Sequence, residues 1–142
     1  AAAARASGHA LRLLPGALAG LDGVAAAAAA GATTLELRCD TPGLPVTARF
    51  AGGLRAGAAR YPDEVNIAVA AALAGPGIDA TQLVLAGSGP GGLHRLALRA
   101  DCSFGRIEAS VTLAPAGSRT LHPVAASVIA ALVQAGRSIR AG

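Results

Sequence analysis

The chain has 142 residues, the length of one domain and enough to bury a core, and carries a formal net charge of +4 from twelve arginines, no lysine and eight acidic residues. The arginines are scattered rather than clustered, and one tyrosine, two phenylalanines and no tryptophan leave few stacking partners for bases, which argues against a nucleic-acid partner. The longest uncharged stretch, 120–136, contains Pro123 and falls short of the roughly 20 apolar residues of a membrane span, so no membrane partner is expected either.

Four leading alanines and the absence of methionine read as a piece of a longer chain. Residues 1–7 read as the tail of a helix, with Gly8 able to take the left-handed turn that ends one. HALRLL (9–14) is strand-like and is halted by Pro15-Gly16. Residues 17–30 are alanine-rich, with Leu18, Leu21 and Val24 at helical spacing. TTLELRC (33–39) and PVTARF (45–50) read as two strands joined across a Pro-Gly turn, and 51–60 as a short helix. Pro62 suits the first turn of the next helix, where Asp63 and Glu64 meet its positive end. Val65, Val69 and Leu73 supply its apolar stripe, and Gly75-Pro76-Gly77 stops it. Strands follow at 82–86, 93–100 and 104–114, the last alternating clearly. A final helix over 121–134, capped by Thr120 or Ser118, has Val124, Val128 and Leu132 as its buried stripe. This order predicts an α+β domain: an open mixed or antiparallel sheet with helices packed on one face.

Few residues carry obvious chemistry. Cys39 and Cys102 are single and far apart, without metal-ligand spacing, and read as reduced thiols of a cytoplasmic protein with no metal. The glycine loop at 87–92 looks like a nucleotide-binding turn, but a dinucleotide fingerprint needs a helix directly after it. A strand follows here, so the loop reads as a flexible hairpin connection. His9 and His122 read as incidental, whereas His94 opens a strand after that loop, a place from which a side chain is aimed into a cleft. Asn66 interrupts an otherwise apolar helix, and a buried amide there needs partners, either backbone or cofactor.

Taken together, these segments resemble the L-aspartate dehydrogenase family. The family's P-S-G-A-[IL]-[AG]-G-L-D segment is matched by residues 14–22, Leu14-Pro15-Gly16-Ala17-Leu18-Ala19-Gly20-Leu21-Asp22. Its A-R-x-[FY]-P helix entry, followed by N-x-N, is matched from Ala59-Arg60-Tyr61-Pro62 to Leu73-Ala74-Gly75. Asp79-Ala80-Thr81, the following strand, His94, Phe104-Gly105 and Arg119-Thr120 then come in the family's order. The chain departs from the pattern at Glu64, where the family has the first Asn of N-x-N, in the missing Lys-Pro-Pro after the first strand, and around the glycine loop.

The resemblance implies the second domain of a two-domain NAD(P)-dependent dehydrogenase. Residues 1–15 would be the remnant of a Rossmann-type nucleotide-binding domain, and 16–142 a catalytic and dimerisation domain. The implied reaction is oxidative deamination of L-aspartate, through iminoaspartate, to oxaloacetate and ammonia, with NAD or NADP as cofactor. By the same resemblance His94 falls on the catalytic histidine, and Ala17 and Asn66 on cofactor-contacting positions. An imidazole titrating near neutrality suits removal of a proton from an amino nitrogen. Small residues at Gly16 and Ala17 admit a nicotinamide ring, and Asn66 can pair with its carboxamide. Arg119, beside Thr120, or alternatively Arg60, offers a guanidinium to a substrate carboxylate. The expected partners are thus a small amino-acid substrate and a second copy of the chain. The departures keep open a dehydrogenase acting on another amino or imino acid, or a non-catalytic oligomerisation or binding domain.

Overall fold

The computed structural model describes residues 6–8, 13–115, 117 and 121–136. Its elements are α1 (Leu21–Ala29), β1 (Leu35–Thr41), β2 (Arg49–Gly53), α2 (Leu54–Arg60), α3 (Asn66–Ala74), β3 (Thr81–Gly87), β4 (His94–Cys102), β5 (Gly105–Leu113) and α4 (Pro123–Ala135). The strands form one sheet in the order β2-β3-β1-β4-β5, with β1 and β3 parallel and every other neighbouring pair antiparallel. This is the expected α+β architecture.

Alternation dictates which face of the sheet is covered. In β1, Leu35, Leu37, Cys39 and Thr41 are buried while Glu36 and Arg38 are exposed. The register sets Leu37 beside Leu83 of β3 and Leu98 of β4, so the buried sets of three adjacent strands share a face. Val24 and Ala27 of α1, Leu54 of α2, and Ala68, Ala71 and Ala72 of α3 complete the core on that face. The opposite face is open and charged, with Arg106 and Arg99 both bridging to Asp101 at 2.6 and 3.2 Å.

Several local expectations are corrected. Residues 17–20 form a turn rather than the start of a helix, because Gly16 and Gly20 take φ of +60° and +90°, and α1 starts only at Leu21. PVTARF is a strand only from Arg49, since Pro45 to Ala48 close a turn, and it pairs with β3 instead of forming a hairpin with β1. The glycine loop is no hairpin either, because β1 lies between β3 and β4 and the loop crosses its end. There the loop is held down: Ser88 N donates to Thr41 O at 2.8 Å and Gly89 N to Leu44 O at 3.0 Å.

The helices differ in detail as well. Pro62 to Glu64 form a turn before α3 rather than its first turn, with Glu64 N donating to Tyr61 O at 3.1 Å. Of the expected stripe Val65 is buried and Val69 packs against the core, but Leu73 is 53% exposed, and the buried residues of α3 itself are alanines. Small side chains let α3 lie close to α1: a Cβ at Gly75 would stand 2.6 Å from Val24 Cγ1. In α4 none of the expected stripe is buried: Val124, Val128 and Leu132 are all exposed, although Val124 also borders a cavity. Ser127, Ala131 and Gln134 face the segment 13–22 instead. His122, read as incidental, is the N-cap, its Nδ1 accepting from Val124 N at 3.3 Å, so neither Thr120 nor Ser118 serves. Leu13 and Leu14 are not in a strand, and the remainder of the expected first strand and most of the preceding helix lie outside the described residues.

Candidate active site

Where β1 and β4 meet the start of α3, the helix-covered face opens into a cavity of about 190 Å³. Leu18, Ile67 and Val124 give it an apolar wall, while Cys39, Glu64, Asn66 and His94 bring polar groups to it. His94 is the first residue of β4 and lies on the same face as Leu96 and Leu98, which carries its ring toward the covered side. Its Nε2 meets Cys39 Sγ at 3.6 Å. Cys39 is buried, and its thiol is pushed up to about 12, first by burial and then by the negative charges of Glu64 and Asp40. At neutral pH it is a neutral S–H group.

Two residues along β1, Thr41 repeats the inward orientation and is buried. Its hydroxyl donates to Glu64 Oε2 at 2.6 Å and accepts from Gly43 N at 3.2 Å. The lack of a side chain at Gly43 is required here, because a Cβ would overlap the Glu64 carboxylate. Glu64 is therefore a held carboxylate rather than a solvated helix-end charge.

The structure brings two of the expected site residues together. His94 and Asn66 line the same cavity. Asn66 is the first residue of α3 and is exposed, so its amide stands at the cavity mouth and not in an apolar core as expected. Ala17 sits in the turn closed by Leu18 N donating to Pro15 O at 3.0 Å, packed on the core and adjacent to the wall residue Leu18 without lining the cavity itself. Arg60 is also away from the cavity, its guanidinium 5.2 Å above the Tyr61 ring. Arg119, Thr120 and His9 lie outside the described residues. Cys39, Thr41 and Glu64 were missed as site residues. The alternation of β1 showed that Cys39 and Thr41 share a face, but not which strand would lie beside them.

The cavity suits one end of a nicotinamide cofactor. Next to Asn66 it offers a flat apolar wall near Gly16, where a Cβ would be 3.8 Å from both Ile67 and Val124. Its size matches a ring or a small amino acid and is below the roughly 300–1,000 Å³ of a full ligand pocket. Among the described residues no group of three or more His, Cys, Asp or Glu is placed to hold a metal ion, and no helix is long and apolar enough to cross a membrane.

A one-sided mixed sheet with a histidine and an amide converging at the strand ends defines an α+β domain with a small polar-mouthed cavity. A family described as aspartate dehydrogenase, C-terminal, matches residues 22–135, and the chain belongs to that family. It is 35% identical to an L-aspartate dehydrogenase of Ruegeria pomeroyi over 97% of this chain and 57% of that protein. It is 32% identical to L-aspartate dehydrogenase 2 of Bordetella pertussis over 92% of this chain and 56% of that protein. The chain thus spans a little over half the length of the curated relatives it matches. A crystal structure of aspartate dehydrogenase from Thermotoga maritima shares the fold with a TM-score of 0.69 at 16% identity, covering 91% of this chain and 55% of that one.

Proposed function

We propose that residues 16–142 form the catalytic part of an NAD(P)-dependent L-aspartate dehydrogenase, with residues 1–15 belonging to its nucleotide-binding part. The observation that carries this reading is the convergence of His94 and Asn66 on one cavity. In this assignment the substrate's amino nitrogen faces His94, whose imidazole takes its proton as the carbon–nitrogen bond becomes an imine. Asn66 orients the carboxamide of the nicotinamide against the wall of Leu18, Ile67 and Val124, which keeps water from the reacting carbon. When bound, the nicotinamide supplies the hydride acceptor. Water then converts iminoaspartate to oxaloacetate and ammonia. NAD and NADP both satisfy these residues, and Arg119 and Thr120 are proposed to receive a substrate carboxylate.

A second reading is favoured by the charge of the cavity. Its lining includes Asp63 and Glu64, while the side chain of Arg38, the one arginine there among the described residues, pairs with Asp40 on the open face at 3.8 Å. Two carboxylates oppose a dicarboxylate and suit an amino or imino acid with a neutral or cationic side chain. The ratio of kcat/KM for L-aspartate to that for uncharged amino acids decides between the two substrates.

The test of the main reading is steady-state kinetics in the complete enzyme. His94→Ala is expected to lower kcat by roughly 10²–10⁴-fold with cofactor affinity nearly unchanged. Asn66→Ala is expected to raise KM for the cofactor instead. If His94→Ala keeps most of its turnover, the acid/base assignment is wrong. The assembled state is proposed to be a homodimer in the cytoplasm. The free thiols Cys39 and Cys102 suit a reducing compartment, and the apolar ridge of Ile129, Leu132 and Val133 on α4 suits burial against a second copy.

A further inference from the structure

We infer that Cys39 is a positioning residue for His94, presenting a neutral thiol to Nε2 from the adjacent strand and helping to fix the ring in the cavity. The inference rests on the reading of His94 as the acid/base and concerns what sets its proton affinity. A side chain beside a catalytic imidazole decides both its orientation and its charge. A carboxylate at this position would stabilise the imidazolium and raise its pKa. A thiol makes the same contact without that bias. It donates S–H to an unprotonated Nε2, and it receives Nε2–H weakly when that nitrogen carries a proton.

Three observations make Cys39 suited to this. Its position on β1 is rigid, because that strand is paired on both sides by β3 and β4. It is 5% exposed, so water does not compete for the ring nitrogen at that contact. Burial and the nearby carboxylates keep its proton on far above neutrality. Among the described residues the charged groups around the pair are Asp63 and Glu64 from the turn before α3, together with Arg38 and Asp40 of β1 and Arg95 of β4, which point to the other face of the sheet. From α4 the cavity receives only Val124 among the described residues. Glu64, whose charge acts on Cys39 more than that of Asp40, is held by Thr41.

The experiment is an NMR titration of the His94 ring protons in the 142-residue chain, with amide spectra to establish that each variant is folded. C39A removes the partner and is expected to move the His94 midpoint by roughly 0.3 pH unit or more. C39S restores a neutral donor and acceptor and is expected to return it to the wild-type value. C39D is expected to raise it by roughly one unit or more. A midpoint unmoved in C39A, or one in C39S that follows C39A, overturns the proposal whether or not C39D folds. The titration is independent of turnover. Failure of the acid/base reading appears in His94→Ala kinetics, whereas failure of this inference appears in the spectra.

Discussion

At the residue scale, the covered face of β1 supplies both of the strand's contributions to the site, Cys39 to His94 and Thr41 to Glu64. Thr41→Val deletes a buried hydroxyl that donates to a carboxylate, and is expected to cost about 1–3 kcal/mol in denaturant unfolding. A cost no larger than that of a surface Thr→Val change would show that the bond is not formed in solution. Cys39 also gives the protein a pH dependence of defined sign. Its folded pKa is raised from 9.0 to about 12, so the folded state favours the thiol and the unfolded chain favours the thiolate. Stability linked to Cys39 is therefore complete below pH 9 and is lost as pH rises toward 12. Melting temperature should fall more steeply over that window in the wild type than in Cys39→Ala, and parallel curves would contradict the assignment. His94 and Asn66 were singled out by the ordered motifs of the family resemblance, and they line one cavity. Cys39, Thr41 and Glu64 were not, because their roles depend on strand neighbours that no local pattern specifies.

At the element scale, sheet and helices were legible within a few residues wherever apolar alternation or alanine-rich periodicity was strong. The misjudged helix faces have a physical source of their own. Hydropathy picks the bulkiest side chains as the buried face, whereas α3 packs through its smallest. The contrast is measurable on that single helix. Ala71, fully buried, should not tolerate leucine, and Ala71→Leu is expected to cost about 1–3 kcal/mol through overpacking. Leu73→Ala, at a 53% exposed position, should change stability by less than about 0.5 kcal/mol. Equal effects in thermal denaturation would restore the Val65, Val69 and Leu73 stripe as the packed face. In α4 the residues turned toward the segment 13–22 are Ser127, Ala130, Ala131 and Gln134, which line a pocket between the two.

At the scale of the whole molecule, a strand and not a helix follows the glycine loop, so the described residues carry no dinucleotide fingerprint for a pyrophosphate. The 142-residue chain is accordingly expected to bind NAD or NADP only weakly, and micromolar binding by calorimetry would contradict this. Light scattering at tens of micromolar is expected to show a dimer, and a clean monomer would remove the case for association through α4. The central place of β1 also bears on how the chain reaches this state. Both of its neighbours come later in the chain, and the loop at 88–93 is tied across its end to Thr41 and Leu44. Such long-range pairing closes late and slowly, because loop entropy is spent before any contact rewards it. Cys39 thus meets His94 only after β4 has docked. In refolding, recovery of the cavity should coincide with the slowest sheet-forming phase, and protection of the Ser88 and Gly89 amides from hydrogen exchange would mark the moment at which the chain becomes competent.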